Sequence, residues 1–224
     1  MRTGPAAATC RWHDLRMSEE LSRWYRNLMV FGPFQPVRPD DLAELKSAID
    51  GPLPGSYGEF IEVANGGSLQ YSVRIPPHPE GEPILFGNLL SVAGVLTDYR
   101  RLPKTVFAEA FATMGVAAGS LLPIAQDGGG SMLFLDLSPD THGRVLAFVF
   151  GLPDWTGVDR ASGIGVVADD FERYLDLLFI DAGTAEATWE DTPADEPADP
   201  WRRTVEQWLD HGRPGWRDLP WAKA

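Results

Sequence analysis

The chain carries four histidines, His13, His78, His142 and His211, and a single cysteine, Cys10. Zinc chemistry needs several nitrogen and sulfur ligands brought to one point, a demand usually announced by pairs such as H-E-x-x-H. No two of the histidines stand at such a spacing, and one cysteine cannot build a zinc site. A histidine alone could act as a general base, but all four fall in loops or tails, where a solvated turn residue is the simpler reading. Four carboxylates, Asp127, Asp136, Asp140 and Asp154, lie near expected turns. Paired acids can run hydrolysis or hold a metal, yet nothing in the spacing brings these four together. Turn formation and solvation are their default roles. Ser68 and Ser131 each follow two glycines, but Gln70 and Leu133 stand where a G-x-S-x-G nucleophile elbow needs its closing glycine. The "DGGG" run, Asp127–Gly130, has the composition of a phosphate cradle, but a strand follows it, so no helix dipole would face an anion. The residues therefore name no catalytic, cofactor-binding or metal-ligating group.

Charge says more. The formal net charge is -13 over 224 residues. Such acidity repels phosphate backbones and argues against direct nucleic-acid binding. It suits a basic protein partner, and it also serves solubility. One cysteine cannot form an intramolecular disulfide, which fits a reducing compartment and a cytoplasmic location. No apolar run approaches the roughly 18 residues of a membrane span. The first residues are basic but lack the apolar centre of a signal peptide. Residues 1–16 read as a flexible arm, with Met17 an alternative start.

Periodicity supplies the elements. Leu21, Trp24, Tyr25 and Leu28 predict an amphipathic helix after Ser18. Leu42, Leu45 and Ile49 predict a second, with Asp41 and Glu44 in capping-box spacing and Gly51 as its stop. In "LPGSYGEFIEVANGG", Leu53–Gly67, Ser56 and Glu59 are spaced as a capping box. Tyr57, Phe60, Ile61 and Ala64 share one face, and Asn65 and Gly66 tolerate the left-handed turn that ends a helix. "SLQYSVRIP" reads as a strand and "HPEGEP" as a turn. "LLSVAGVLTDYRRL" and "KTVFAEAFATMG" read as helices. "LLPIAQ", "SMLFLDL" and "RVLAFVFG" read as strands, the last two an antiparallel hairpin. "GIGVVADDFERYLDLLFIDAG" holds the last core helix, with Asp169 and Glu172 at its start. Residues 182–199, rich in acids, alanine and proline without Lys or Arg, read as a solvated linker. Residues 200–224 resume as a tryptophan-rich helix and tail.

Aromatic residues are the remaining candidates for recognition. Trp12, Trp155, Trp189, Trp201, Trp216 and Trp221 fall outside the clear helical stripes. Indoles amid acids suit a protein-binding surface, although the C-terminal ones could instead clip the tail to the core. Asp140, Asp154 and Trp155 are the candidate partner contacts.

Four motifs in order then resemble a known family. "LPGSYGEFIEVANGG" resembles the L-P-x-x-Y-x-x-F…N-G-G signature of the SUKH superfamily, which includes fungal cell-wall-assembly regulators and bacterial immunity proteins. "LLPIAQDGGGSMLFLDL" is similar to that family's second signature, "GRVLAFVFG" to its next strand and "VADDFERYLDLL" to its closing helix. The resemblance covers roughly Ser18 to Asp181, a SUKH-like domain over 17–181, while 68–120 and the tail match none of its motifs. It implies an α+β fold, a curled and mainly antiparallel sheet with helices packed around it, and no catalytic apparatus or cofactor. The matched residues, Leu53, Pro54, Tyr57, Phe60, Asn65, Gly66, Gly67, Asp127 and Gly130, would be structural. The role implied is an immunity protein that binds a polymorphic toxin, such as a nuclease. A regulatory scaffold without a toxin is the alternative, and a carboxylate hydrolase the third.

Overall fold

The computed structural model describes residues 30–31, 37–75, 83–151, 161–193 and 197–223. The arm over 1–16, the helix expected after Ser18, Cys10, Trp12, His13, His78, Asp154 and Trp155 lie outside the described residues.

Seven strands form one antiparallel sheet in sequence order. They are β1 (Val30–Phe31), β2 (Gly67–Leu69), β3 (Asn88–Leu89), β4 (Leu121–Gln126), β5 (Met132–Asp136), β6 (Val145–Val149) and β7 (Gly163–Ala168). No pairing among the described residues joins β7 to β1, so the sheet is open. The described helices are α1 (Pro39–Ala48), α2 (Gly55–Ala64), α3 (Val92–Arg101), α4 (Val106–Ala112), α5 (Phe171–Asp176), α6 (Ala182–Glu190) and α7 (Pro200–Gly212). The fold is α+β, as the resemblance implies.

Strands β5 and β6 are the centre, and every residue of both is buried. Their register sets Phe134 opposite Leu146 and Met132 opposite Phe148. Because side chains alternate across a strand, Leu133 and Ala147 then share the other face, so both faces are covered. Helix α4 lies on the phenylalanine face. Phe107 meets Phe148 at 5.0 Å between ring centroids, and Phe111 meets Phe134 at 5.3 Å. Helix α2 buries Tyr57, Phe60, Ile61 and Ala64, the face its periodicity predicts. Phe60 and Tyr57 pack on Phe171 of α5 at 4.8 and 5.2 Å.

Helix ends depart from the sequence reading. Pro54, not Ser56, is the N-cap of α2, and no side chain caps it. The backbone carbonyl of Pro54 accepts from the Gly58 N–H at 2.8 Å, so the helix starts two residues early and the Ser56–Glu59 box is not used. At α1 the cap is Arg38, with Pro39 pre-set for the first turn. Asp41 takes the Arg38 guanidinium at 2.8 and 2.9 Å instead of an amide. At α5 the cap is Asp170, one residue after Asp169, and it accepts from the Arg173 N–H at 2.7 Å.

Three longer-range expectations also change. The strand expected over "SLQYSVRIP" is cut to Gly67–Leu69. Beyond it Ser72 bridges Phe179 and Val73 bridges Ile84. The run "GIGVVA" is strand β7, not the approach to a helix. The linker expected over 182–199 contains α6, capped by Asp181, which accepts from the amides of Gly183 and Thr184. Trp189 of α6 packs on Trp216 at 4.7 Å, and Trp216 stacks on Trp221 at 6.0 Å. Helix α7 holds this unit to the domain. Trp208 is fully buried against Tyr71, and a Cβ at Gly212 would come within 2.8 Å of Ile180 Cγ1.

Candidate interaction surface

Of the signature residues, Pro54, Tyr57, Phe60 and Gly66 are buried, and the contacts of the others show what each type does. Asn65 sits in the left-handed conformation with φ 39° and ends α2. Its Oδ1 accepts the Val92 N–H at 2.9 Å, so the residue that stops one helix caps the next. Gly66 has φ 88°, and a Cβ there would lie 2.9 Å from both Leu89 O and Ser91 N. Only glycine satisfies both the conformation and the approach. Leu53 packs partly buried on the core.

In the "DGGG" turn, Asp127 Oδ1 accepts from the amides of Gly129 and Ser131 at 2.8 and 2.7 Å. Gly130, at φ 95°, lies against the Phe150 ring. Asp127 is thus occupied in shaping a hairpin turn, and nothing in the arrangement makes it a phosphate cradle.

Asp136 shapes the next turn and is wholly buried. It accepts from Ser138 N at 2.9 Å, Thr141 Oγ1 at 2.5 Å and Arg144 Nη2 at 2.8 Å. Burial pushes its carboxyl up, but the bonds from Arg144, Ser138 and Thr141 outweigh that and hold it below the usual carboxylate range. The carboxylate stays charged and saturated with donors, which suits a structural anion and not a proton carrier. His142 Nε2 lies 2.9 Å from the Pro52 carbonyl, tying the same turn to the entry of α2.

Among the candidate contacts, Asp140 is exposed on the short turn Pro139–Thr141. Its proposed companions Asp154 and Trp155 lie outside the described residues. The C-terminal indoles are not a recognition surface: Trp216 is buried, and Trp189, Trp201 and Trp221 are partly buried against the core. Arg202 covers Trp189 at 4.6 Å and Arg217 covers Trp216 at 4.5 Å. Asp210 accepts from Trp216 Nε1 at 2.8 Å and pairs with Arg217. These tryptophans clip the tail to the domain, the simpler of the two sequence readings.

No group of three or more His, Cys, Asp or Glu among the described residues is placed to hold a metal ion. Nor is any described helix long and apolar enough to cross a membrane.

A groove of ≈ 450 Å³ opens between α4 and the start of β7, lined in part by Val106, Glu109, Ala110, Thr113, Phe148 and Ile164. Val106, 48% exposed, and Met114, 38% exposed, are the two exposed large hydrophobics among the described residues; Val106 opens α4 and Met114 lies in the turn after it. Sequence reasoning passed over this face. The alternation in "GIGVVA" was the available signal, but the run merges with the helix that follows.

No curated protein matches the chain. The profile described as the SMI1 / KNR4 family (SUKH-1) matches residues 36–177, more than half of the chain and the whole stretch from α1 through α5. The chain belongs to the SMI1 / KNR4 (SUKH-1) family.

Proposed function

We propose that this protein is a non-enzymatic, cytoplasmic binding module that neutralises a cognate toxin by direct contact. Family membership supports the class, since SUKH-1 domains are generally non-catalytic and associated with toxin partners. The observation that carries the electrostatic part is the formal net charge of -13. Exposed acids occur on several elements, among them Glu59 and Glu62 of α2, Glu109 of α4 and Glu186 and Glu190 of α6. A basic toxin domain, such as a nuclease with a phosphate-binding cleft, would be drawn to such a field and associate quickly. The single cysteine supports a reducing compartment.

The test is capture of a partner from the native host by the full chain, followed by two measurements on the captured protein. Its toxic activity should fall on binding. The on-rate should fall as salt rises, because the screening length shortens to about 8 Å at physiological ionic strength. Dissociation should change less, since it depends on desolvated contacts. A captured partner with no toxic activity supports the regulatory scaffold instead. Substrate turnover by the pure chain at enzyme-like rates overturns the binding-module reading.

A further inference from the structure

We propose that β7 is the docking edge for an extended, Lys- or Arg-bearing segment of a partner protein, which adds an outer strand and seats an apolar side chain beside Val106. The inference rests on the binding-module reading and names the surface that reading lacks.

Three observations converge on this edge. First, β7 pairs with β6 from Val149↔Gly163 to Val145↔Ala168 and, among the described residues, with no strand on its other side. In an antiparallel pair alternate residues turn their N–H and C=O groups away from the neighbour, so β7 has outward donors and acceptors that no described strand takes up, with Gly163, Ile164 and Val166 partly exposed along it. An extended chain satisfies such groups, whereas a helix, whose own groups are internally bonded, does not. Second, the edge is unguarded. Natural sheets block their edges with charges, Pro or Lys, and Gly163–Ala168 contains none of these. Gly163, partly exposed at the start of the strand, leaves room for a close backbone approach.

Third, the apolar groove runs beside the same edge. Val106 and Ala110 of α4 face Ile164 and Phe148 across it, so every second side chain of an added strand would meet an apolar wall. Glu109 is the one ionisable residue among those lining the groove. A lysine or arginine flanking the inserted side chain would pair with it, in keeping with the acidity of the whole chain. A second copy of this chain fits less well, because each copy brings the same formal charge of -13.

The probe is a library of random linear peptides displayed on phage and selected on the full chain. Selected peptides should alternate apolar residues with Lys or Arg. The bound peptide should slow amide exchange over Gly163–Ala168. Val106→Asp and Glu109→Lys, both surface changes, should each weaken binding about tenfold or more with an unchanged thermal midpoint. Failure of selection, exchange protection elsewhere, or binding indifferent to both substitutions overturns the proposal. So does sedimentation showing that the chain self-associates and that Val106→Asp abolishes the association. The two readings fail separately. A toxin domain bound equally by the parent and both variants removes the β7 site and leaves the toxin reading intact. Peptide docking at β7 with no toxin captured does the reverse.

Discussion

Replacing Trp208 tests whether the C-terminal unit is integral to the domain. The indole is fully buried, with Tyr71 at 6.4 Å between ring centroids. An aromatic side chain buries on the order of 150–250 Å². At about 25 cal/mol per Å², that burial is worth about 4–6 kcal/mol. One term opposes it: the Nε1–H is buried and has no acceptor among the described residues. An orphaned donor costs about 1–3 kcal/mol. Trp208→Ala removes both terms and leaves a cavity, so stability should fall by about 3–5 kcal/mol. Trp208→Phe keeps most of the ring contact and deletes the orphan donor, so the loss should stay under about 2 kcal/mol. The assay is urea unfolding followed by circular dichroism, since fluorescence would change with the indole itself. Limited proteolysis between α6 and α7 should accelerate in the alanine variant alone. A phenylalanine variant as unstable as the alanine variant would refute the orphan-donor argument. An alanine variant within about 1 kcal/mol of the parent would refute the docking argument.

Two further predictions concern buried polar groups inside the family-matched region. Asp136→Asn strands the Arg144 guanidinium and should cost about 3 kcal/mol near neutral pH. The folded Asp136 carboxyl lies below its ordinary value, so its contribution is complete above about pH 4 and lost as pH falls through the depressed folded value. Urea midpoints of parent and variant should therefore converge in acid, and a gap that persists there would contradict the linkage. Tyr57→Phe should leave stability unchanged or raise it by about 1 kcal/mol, because the hydroxyl is buried without a partner while the ring packs on Phe60 and Phe171. A clear loss in thermal denaturation would show that the hydroxyl is bonded.

What the sequence disclosed follows the range of the interactions involved. The buried face of α2 and the strands β4 to β6 were legible because apolar periodicity reports burial directly. The left-handed stop at Asn65 and Gly66 was legible because few residues accept that conformation. Caps were misplaced by one to three residues: at α1 and α2 a proline at or beside the start sets the first turn and no side chain caps it, and at α5 the neighbouring aspartate takes the role. The error at 182–199 has a different source. Composition measured how little apolar surface that stretch carries, but Trp189 finds its partner Trp216 far along the chain, and one such contact suffices to hold a short capped helix. Strand β7 was missed because its short alternation runs, two residues on, into the helix at Phe171, whose stronger stripe took the whole segment.

The same contrast explains why the family motif leaves the partner unspecified. Tyr57 and Phe60 end in the core, Asn65 caps α3, Gly66 admits the β3 backbone, and Asp127 spends an oxygen on its own turn. The rings are buried, and the bonds that Asn65 and Asp127 make lie within the fold, so this part of the motif serves the domain's own structure. On the proposed binding role, discrimination between partners would fall to groups outside this framework, among them the outward acids, the exposed side chains of α4 and the edge of β7. These positions are free to vary without disturbing the core, which is why a chain can keep the signature and change what it binds.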